Sequence, residues 1–548
     1  MSPTLAAQLA HTLADRGCRA AFGVTGAAIG RFSRALADAG IRVVHPRHEG
    51  GAAFMATEHA LASGTPTVVF TTSGPGFSNA ITGLVAAAWE GAHVVAVVGG
   101  TPPANAHRFP FQATGRDQLD LTAWVPRDVP FQVHEVVGAE SLDALGTALD
   151  GRLAHAGGSL TVVLLPSDAQ ATPCLQRPPA APAPTPGPRR EDVDALVEAL
   201  QGRRVLLWVG HGARHAASTV RTALEVLGAV VVLTPRAKGV VPESDPRCLG
   251  VLGLGGARGV AERVQHAAPD VALVLGARFS EFTSWWDARL VPPEGFVVVG
   301  LQEVGAAYRD APVRSFEADP AALLRAALPR LGSTPFPPQP ELAPEALESR
   351  WPDLVHPGAL MAVVQERIVA RDLPVISEAG NAFAWATRVL RFDAPRYRVS
   401  PDFGAMGQAS AGVVGLALGT NGPAVALVGD GAMLMNTEIS TAVATGARAI
   451  WVVLNDAAYG MIAHGMHAIG LEPVETDIPP VDFVTFARAQ GADGARAHDA
   501  ESLRLALDAA LAADGPFVVD VAVDPAVPPP FGARNDALLE PQETEWRG

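Results

Sequence analysis

Short apolar runs recur along the chain, separated by stretches whose apolar positions repeat at helical spacing. Leu5, Leu9 and Leu13 share one face of a first helix, with Ser2 as its N-cap, Pro3 at the first helical position and Gly17 at its end. Strand-like runs follow at Ala20–Phe22, Ile41–Val44, Thr67–Thr71 and Val94–Val98, and the block closes near Leu160–Pro166. A second set comprises Val205–Val209, Val230–Leu233, Val271–Leu275 and Phe296–Gly300. A third comprises Pro374–Ser377, Ala424–Val428, Ile450–Leu454 and Phe517–Val523. Strands alternating with helices predict α/β architecture, with parallel sheets covered on both faces.

Two linkers divide the sets. Pro178, Pro179, Pro182, Pro184 and Pro186 make 173–188 an extended spacer, and a looser one covers 333–344. The expected organisation is three doubly wound domains, 1–172, 189–332 and 345–525, with a tail at 526–548 packed on the surface or partly disordered.

Composition narrows the function. The 548 residues carry 41 Lys and Arg against 56 Asp and Glu, a net charge of −15 that disfavours nucleic acid and acidic membranes as partners. Cys18, Cys174 and Cys248 form no CxxC pair, so neither a disulfide framework nor a zinc site is expected. The first residues show no secretory pattern. The apolar stretch 411–428 is broken by Thr420-Asn421-Gly422-Pro423 and is too short to span a membrane. A cytoplasmic protein is expected.

The candidate chemistry lies late in the chain. Gly429-Asp430-Gly431 follows one apolar run, and Asn455-Asp456 ends the next, with Asp456 26 residues beyond Asp430. Mg²⁺ seeks oxygen ligands and is commonly shared between one or two carboxylates and a phosphate. Asp430 and Asp456 can supply carboxylates, the Ala458 carbonyl a further oxygen, and Asn455 stands beside them. Gly429, Gly431 and Ala432 would let the backbone approach a phosphate. A helix is predicted over 436–444, ending at Gly446, with its N-terminus toward the anion. Taken alone, Gly-Asp-Gly is also a common turn.

Two further motifs stand near the N-terminus. His48-Glu49-Gly50-Gly51-Ala52-Ala53 follows the run ending at Val44, and Ser73-Gly74-Pro75-Gly76-Phe77-Ser78-Asn79 follows the run ending at Thr71. With all three elements in this order, nearly the whole chain resembles the thiamine-diphosphate enzymes. Among them it is most similar to the acetolactate-synthase-like group and to benzaldehyde lyase.

The resemblance implies a pyrimidine-binding domain first, a Rossmann-like domain second and a diphosphate-binding domain last. Glu49 is then the carboxyl that bonds the cofactor pyrimidine and promotes loss of the thiazolium proton. Gly26, Ser73 and Asn79 adjoin the pyrimidine, and the Gly404 carbonyl and Met406 meet it from the other side. Glu378, Gly380 and Asn381 would touch the diphosphate through their backbone. Tyr459, Gly460 and Met461 would cover the thiazolium. Gln112 is expected to donate to a developing alkoxide, while Ala28, Thr72, Phe111, Ile462 and His464 line the substrate side. For each histidine near this site, His464 and His467, a plain surface position is the competing reading.

The resemblance has departures. Ala113 stands where acetolactate synthases usually carry Glu, and Ala463-His464-Gly465-Met466-His467 replaces an Arg-Gln-Trp-like run. Thr72 stands where benzoylformate decarboxylase has histidine, and no His-His pair lies near His107. The first two departures sit where acceptor choice is made, so the biosynthetic substrate pair is not carried over, and the last two make a simple aldehyde-releasing decarboxylase less expected. Val209-Gly210-His211-Gly212 and Gly276-Ala277-Arg278 fit a nucleotide-binding-like middle domain, but Val299-Gly300-Leu301-Gln302 lacks the usual acidic strand end, leaving FAD or ADP open. The expected activity is a ThDP- and Mg²⁺-dependent carboligase that decarboxylates a 2-keto acid, with pyruvate the expected donor, and adds the acyl unit to a carbonyl acceptor. The alternatives are an acyloin or 2-hydroxyacyl-CoA lyase, a 2-keto acid decarboxylase, and a non-catalytic ThDP-binding subunit. A homodimer or homotetramer is implied.

Overall fold

The computed structural model describes residues 3–155, 157–174, 187–300, 308, 310–338 and 353–531. Each set of apolar runs builds one six-stranded sheet, and every strand pair is parallel. The first contains β1 (Ala20–Val24), β2 (Arg42–Val44), β3 (Thr67–Thr71), β4 (His93–Gly100), β5 (Phe131–Glu135) and β6 (Ser159–Pro166), in the order β2-β1-β3-β4-β6-β5. The middle sheet contains β7 (Val205–Val209), β8 (Val230–Leu233), β9 (Cys248–Val251), β10 (Val271–Leu275), β11 (Phe296–Gly300) and β12 (Val313–Glu317). Its order, β12-β11-β10-β7-β8-β9, is the doubly wound order of a Rossmann fold. The last sheet contains β13 (Val375–Ser377), β14 (Tyr397–Arg398), β15 (Ala424–Gly429), β16 (Ala449–Asn455), β17 (Asp493–Ala497) and β18 (Phe517–Ala522). Its order, β14-β13-β15-β16-β18-β17, repeats that of the first sheet.

Three local readings change. The first helix spans Leu5–Asp15 with Thr4 as N-cap, its hydroxyl accepting from the Ala7 N–H. Pro3 therefore precedes the helix, and Ser2 lies outside the described residues. The helix predicted over 436–444 begins later, spanning Ile439–Thr445, and an extended break at Asn436 (φ −152°) separates it from a short helix at Asp430–Met435. Glu438, within this break, turns its side chain to the backbone of Arg47 and His48. Gly446 ends the second helix in the left-handed conformation, as predicted. Most of the first linker, much of the second, and the tail beyond Phe531 lie outside the described residues.

The first and last sheets share one core. The helices Glu49–Ser63 and Gln408–Thr420 pack against each other, each buried over most of its length. They approach so closely because glycines face the neighbouring backbone. A Cβ on Gly415 would stand 2.0 Å from the Met55 carbonyl oxygen, and one on Gly412 would stand 2.8 Å from Glu58 Cγ. Overpacking a filled core costs about 1–3 kcal/mol, and here the obstacle is backbone that cannot rotate away. We expect Gly415→Ala to lower the midpoint of the first thermal unfolding transition by several degrees. An unchanged midpoint in calorimetry would show that the seam is loose.

Candidate active site

β15 and β16 are neighbours, with Gly429 opposite Leu454, so Asp430 and Asp456 leave the sheet side by side at its C-terminal edge. Both line a cavity of about 220 Å³. Asp430 Oδ1 accepts from the Gly431 N–H at 2.7 Å, while its Oδ2 is buried without a hydrogen-bond partner. Burial raises the Asp430 carboxyl to about 6. Burial, then the charge of Asp430, raises Asp456 to about 7. Two desolvated carboxylates held together resist ionisation, and a bound dication relieves both costs.

The rest of the cavity wall suits an anion. The helices Asn381–Val389 and Gly460–Ala468 both begin at it, and the Asn381 Oδ1 is also buried without a partner. Close approach is built in. A Cβ on Gly460 would stand 2.6 Å from Asp456 Oδ2, and one on Gly431 would stand 2.7 Å from the Tyr459 ring. Ala457 adopts φ 54°, turning the loop so that Ala458 also lines the cavity. Met406, Gly429, Ala432, Met461 and Ile462 complete the predicted residues found there.

Several predicted residues stand elsewhere. Asn455 donates to Asp520 Oδ1 at 2.8 Å and to the Val481 carbonyl at 3.1 Å, so its amide is spent away from the cavity. Glu378 turns inward, accepting from the Ala409 and Ser410 N–H groups at 3.1 and 3.2 Å. Ala379, Gly380 and Asn381, which follow it, do line the cavity. Gly404, at φ 62°, donates its N–H to Ser400 Oγ and does not line the cavity. His464 also lies outside the lining, bonded to the backbone at Pro525, and burial lowers its pKa. His467 is exposed, 3.9 Å from Glu472.

Burial raises the Glu378 carboxyl to about 7. Because the folded value lies above the unfolded one, its contribution to stability is fully present at low pH and is lost as pH rises through about 7. We expect Glu378→Gln to be the less stable protein at about pH 5 and to gain on the wild type by about pH 8. Parallel melting curves across that range would show no crossing trend if Glu378 titrates normally.

The other predicted residues gather on the first sheet. Glu49 opens its helix behind His48, whose Nδ1 accepts from the Gly50 N–H at 3.0 Å. Its carboxylate is 8 % exposed and accepts from Asn79 Nδ2 at 3.1 Å. Thr72 is clasped between Gly26 and Gly76, where added Cβ atoms would stand 2.6 and 2.8 Å from its side chain. Ser73 is buried beside Gly74, whose N–H donates to Thr114 Oγ1 at 2.6 Å. Gln112 adopts φ 54° over Gly74, and Phe111 is 89 % exposed. The Ala28 carbonyl accepts from Gln170 Nε2 at 2.6 Å. The 220 Å³ cavity is lined only by residues from Pro357 onward, and none of these first-sheet residues is among them.

Sequence reasoning missed Val523, Asp524 and Val527, which close the cavity. Asp524 is buried, with Oδ1 accepting from the Ala526 N–H at 2.9 Å and Oδ2 unpartnered. The prolines after it suggested a surface tail, yet Val527 packs on the core of the last sheet. The only available signal was the apolar run leading into Asp524.

A second cavity, of about 580 Å³, lies where all three sheets' units meet. Gly210, Gly212 and Gly276 bring the ends of β7 and β10 together at the point where the strand order reverses. Arg214, Arg236, Arg278 and Arg398 line it. Arg236 pairs with Glu90 at 2.7 Å, and Arg398 lies 3.6 Å from Glu58. Arg214 donates to the Pro395 and Tyr397 carbonyls. Val299 and Gly300 line the cavity, while Leu301 and Gln302 lie outside the described residues.

Comparison with known proteins agrees with this arrangement. The N-terminal TPP binding domain of thiamine pyrophosphate enzymes matches residues 3–121, the central domain 193–326 and the C-terminal TPP binding domain 378–521. A putative acetolactate synthase large subunit of Mycobacterium tuberculosis is 30% identical, over 91% of this chain and 93% of its own. The acetolactate synthase isozyme 2 large subunit of Escherichia coli is 27% identical over 97% and 98%. In structure, benzoylformate decarboxylase from Polynucleobacter necessarius superposes with a TM-score of 0.82 at 21% identity, covering 96% of this chain and 100% of that one.

Proposed function

The chain belongs to the thiamine-pyrophosphate enzymes, of acetolactate-synthase type, and on that premise we propose that it is a Mg²⁺-dependent carboligase with pyruvate as acyl donor. The observation that carries the metal assignment is the carboxylate pair, with one buried Asp430 oxygen lacking any partner. Asp430, Asp456 and the Ala458 carbonyl would hold Mg²⁺, which binds the diphosphate against the N-termini at Asn381 and Gly460. When bound, thiamine diphosphate supplies the nucleophilic carbon and the electron sink for decarboxylation.

The chain's own residues do the rest. Glu49 would meet the pyrimidine edge with its carboxyl group, to which Asn79 Nδ2 donates. Met406, Met461 and Ile462 present apolar surface that excludes water, which favours transfer to a carbonyl acceptor over release. Gln112 donates at the developing alkoxide. Since no residue of the first sheet's unit lines the cavity, we propose a homodimer or homotetramer in which Glu49 of one subunit faces the cavity of another. Exposed Tyr459, Ile462 and Phe111 suit that interface.

The central cavity would take the diphosphate of FAD or ADP, with half-buried Arg214 as a cation that no carboxylate pairs among the described residues. A flavin spectrum or an adenine nucleotide released on denaturation distinguishes these cofactors. The activity itself is tested by ¹³C NMR with ThDP, Mg²⁺, labelled pyruvate and a panel of aldehydes and keto acids. Label in a new C–C bonded product with CO₂ release is expected. Pyruvate left unconsumed, with acyloin cleaved, would replace the carboligase reading by a lyase.

A further inference from the structure

The start of the Glu49 helix is held from the last sheet's unit. Glu438 is fully buried, in the break between the helix that begins at Asp430 and the next. Its Oε2 accepts from the Arg47 N–H at 3.0 Å, and its Oε1 from the His48 N–H at 3.2 Å. Thr441 Oγ1 donates to Oε2 at 2.5 Å, and the Arg47 side chain reaches back to Ser440 Oγ at 2.9 Å. There is no slack around this clamp. A Cβ on Gly51 would stand 2.4 Å from Glu438 Oε1, and one on Gly407 would stand 2.8 Å from Asn436 Cβ.

A helix N-terminus has free N–H groups, and the residues just before it set the angle at which the helix enters. Here those residues, Arg47 and His48, receive a buried carboxylate from the unit that carries the metal loop. A charge-assisted hydrogen bond of this kind is stronger than a neutral one. Glu49 is the next residue along the chain. We propose that Glu438 is a positioning residue for Glu49, fixing its carboxylate by clamping the backbone in front of it and tying that geometry to the Asp430 loop eight residues upstream.

The inference rests on the reading of Glu49 as the group that activates the cofactor. A glutamine at 438 keeps the volume but removes the charge and turns an amide toward N–H donors. The test therefore uses Glu438→Gln in the full chain. Without cofactor, amide hydrogen exchange at Arg47 and His48 rises at least about tenfold. With cofactor, exchange of the thiazolium C2 proton of bound ThDP falls about 10–100-fold, as for loss of an outer-shell partner. The dissociation constants of ThDP and Mg²⁺ stay within about twofold, because no atom of Glu438 lines their cavity. Should Glu438→Gln fail to fold, Gly51→Ala displaces the same carboxylate sterically and carries the same expectation.

Wild-type C2 exchange in a folded variant overturns the clamp. So does a parallel loss of cofactor affinity, which marks a general structural role. A wild-type protein that binds ThDP without accelerating C2 exchange overturns the Glu49 reading instead, so the two failures are distinguishable.

Discussion

Glu49→Gln should lower kcat by about 10²–10⁴-fold, the usual worth of a positioned acid–base group, while the protein folds and binds ThDP normally. The substitution nearly preserves shape. Asn79 Nδ2, now 3.1 Å from the carboxylate, can donate equally to an amide oxygen. Gly76 leaves room beside the carboxylate, since even a Cβ there would stand 3.5 Å from Glu49 Oε1. An amide, however, cannot pass a proton to and from a ring nitrogen. The effect should therefore fall on kcat with little change in the ThDP dissociation constant, which fluorescence quenching reads directly. Equal turnover in the two proteins would sink the role assigned to Glu49.

The second large effect is on metal binding. Asp430→Asn should weaken Mg²⁺ by more than the 10–100-fold typical of losing an outer-shell partner, because it removes a ligand charge. The Gly431 N–H would still find an amide oxygen, so the strand end should keep its conformation. What disappears is the buried Oδ2, which has no partner in the protein. Asp456 should ionise more readily once its charged neighbour is gone. Calorimetric titration of Mg²⁺ at fixed ThDP would reveal the loss, and undiminished affinity would rule Asp430 out as a ligand.

The central strands were readable because they are continuous apolar runs. Thr67–Thr71, Val205–Val209 and Val271–Leu275 occupy the expected residues, and all are fully buried. The strands overlooked, β5, β9, β12, β14 and β17, all lie at sheet edges. Phe131–Glu135 is only half-buried throughout, and Val313–Glu317 has a single buried residue, so neither leaves an apolar run to read. The carboxylates of the site were legible because strand ends carry them. The inward turn of the Asn455 and Glu378 side chains was not legible, because a motif gives position along the chain but not the direction of a side chain. Asp520 and the helix at Ala409, which draw those two groups inward, are distant in sequence and carry no local signature.

The glycine seam between the Glu49 helix and the 408–420 helix bears on laboratory evolution of this scaffold. Saturation libraries placed at Gly412, Gly415 or Gly419 would return mostly dead clones, since even one methyl meets a neighbouring residue. Phe109, Phe111 and Ile462 stand free in the single chain and tolerate replacement there without repacking any core. Diversity aimed at changing acceptor choice should be spent on 109, 111 and 462, with the seam held invariant.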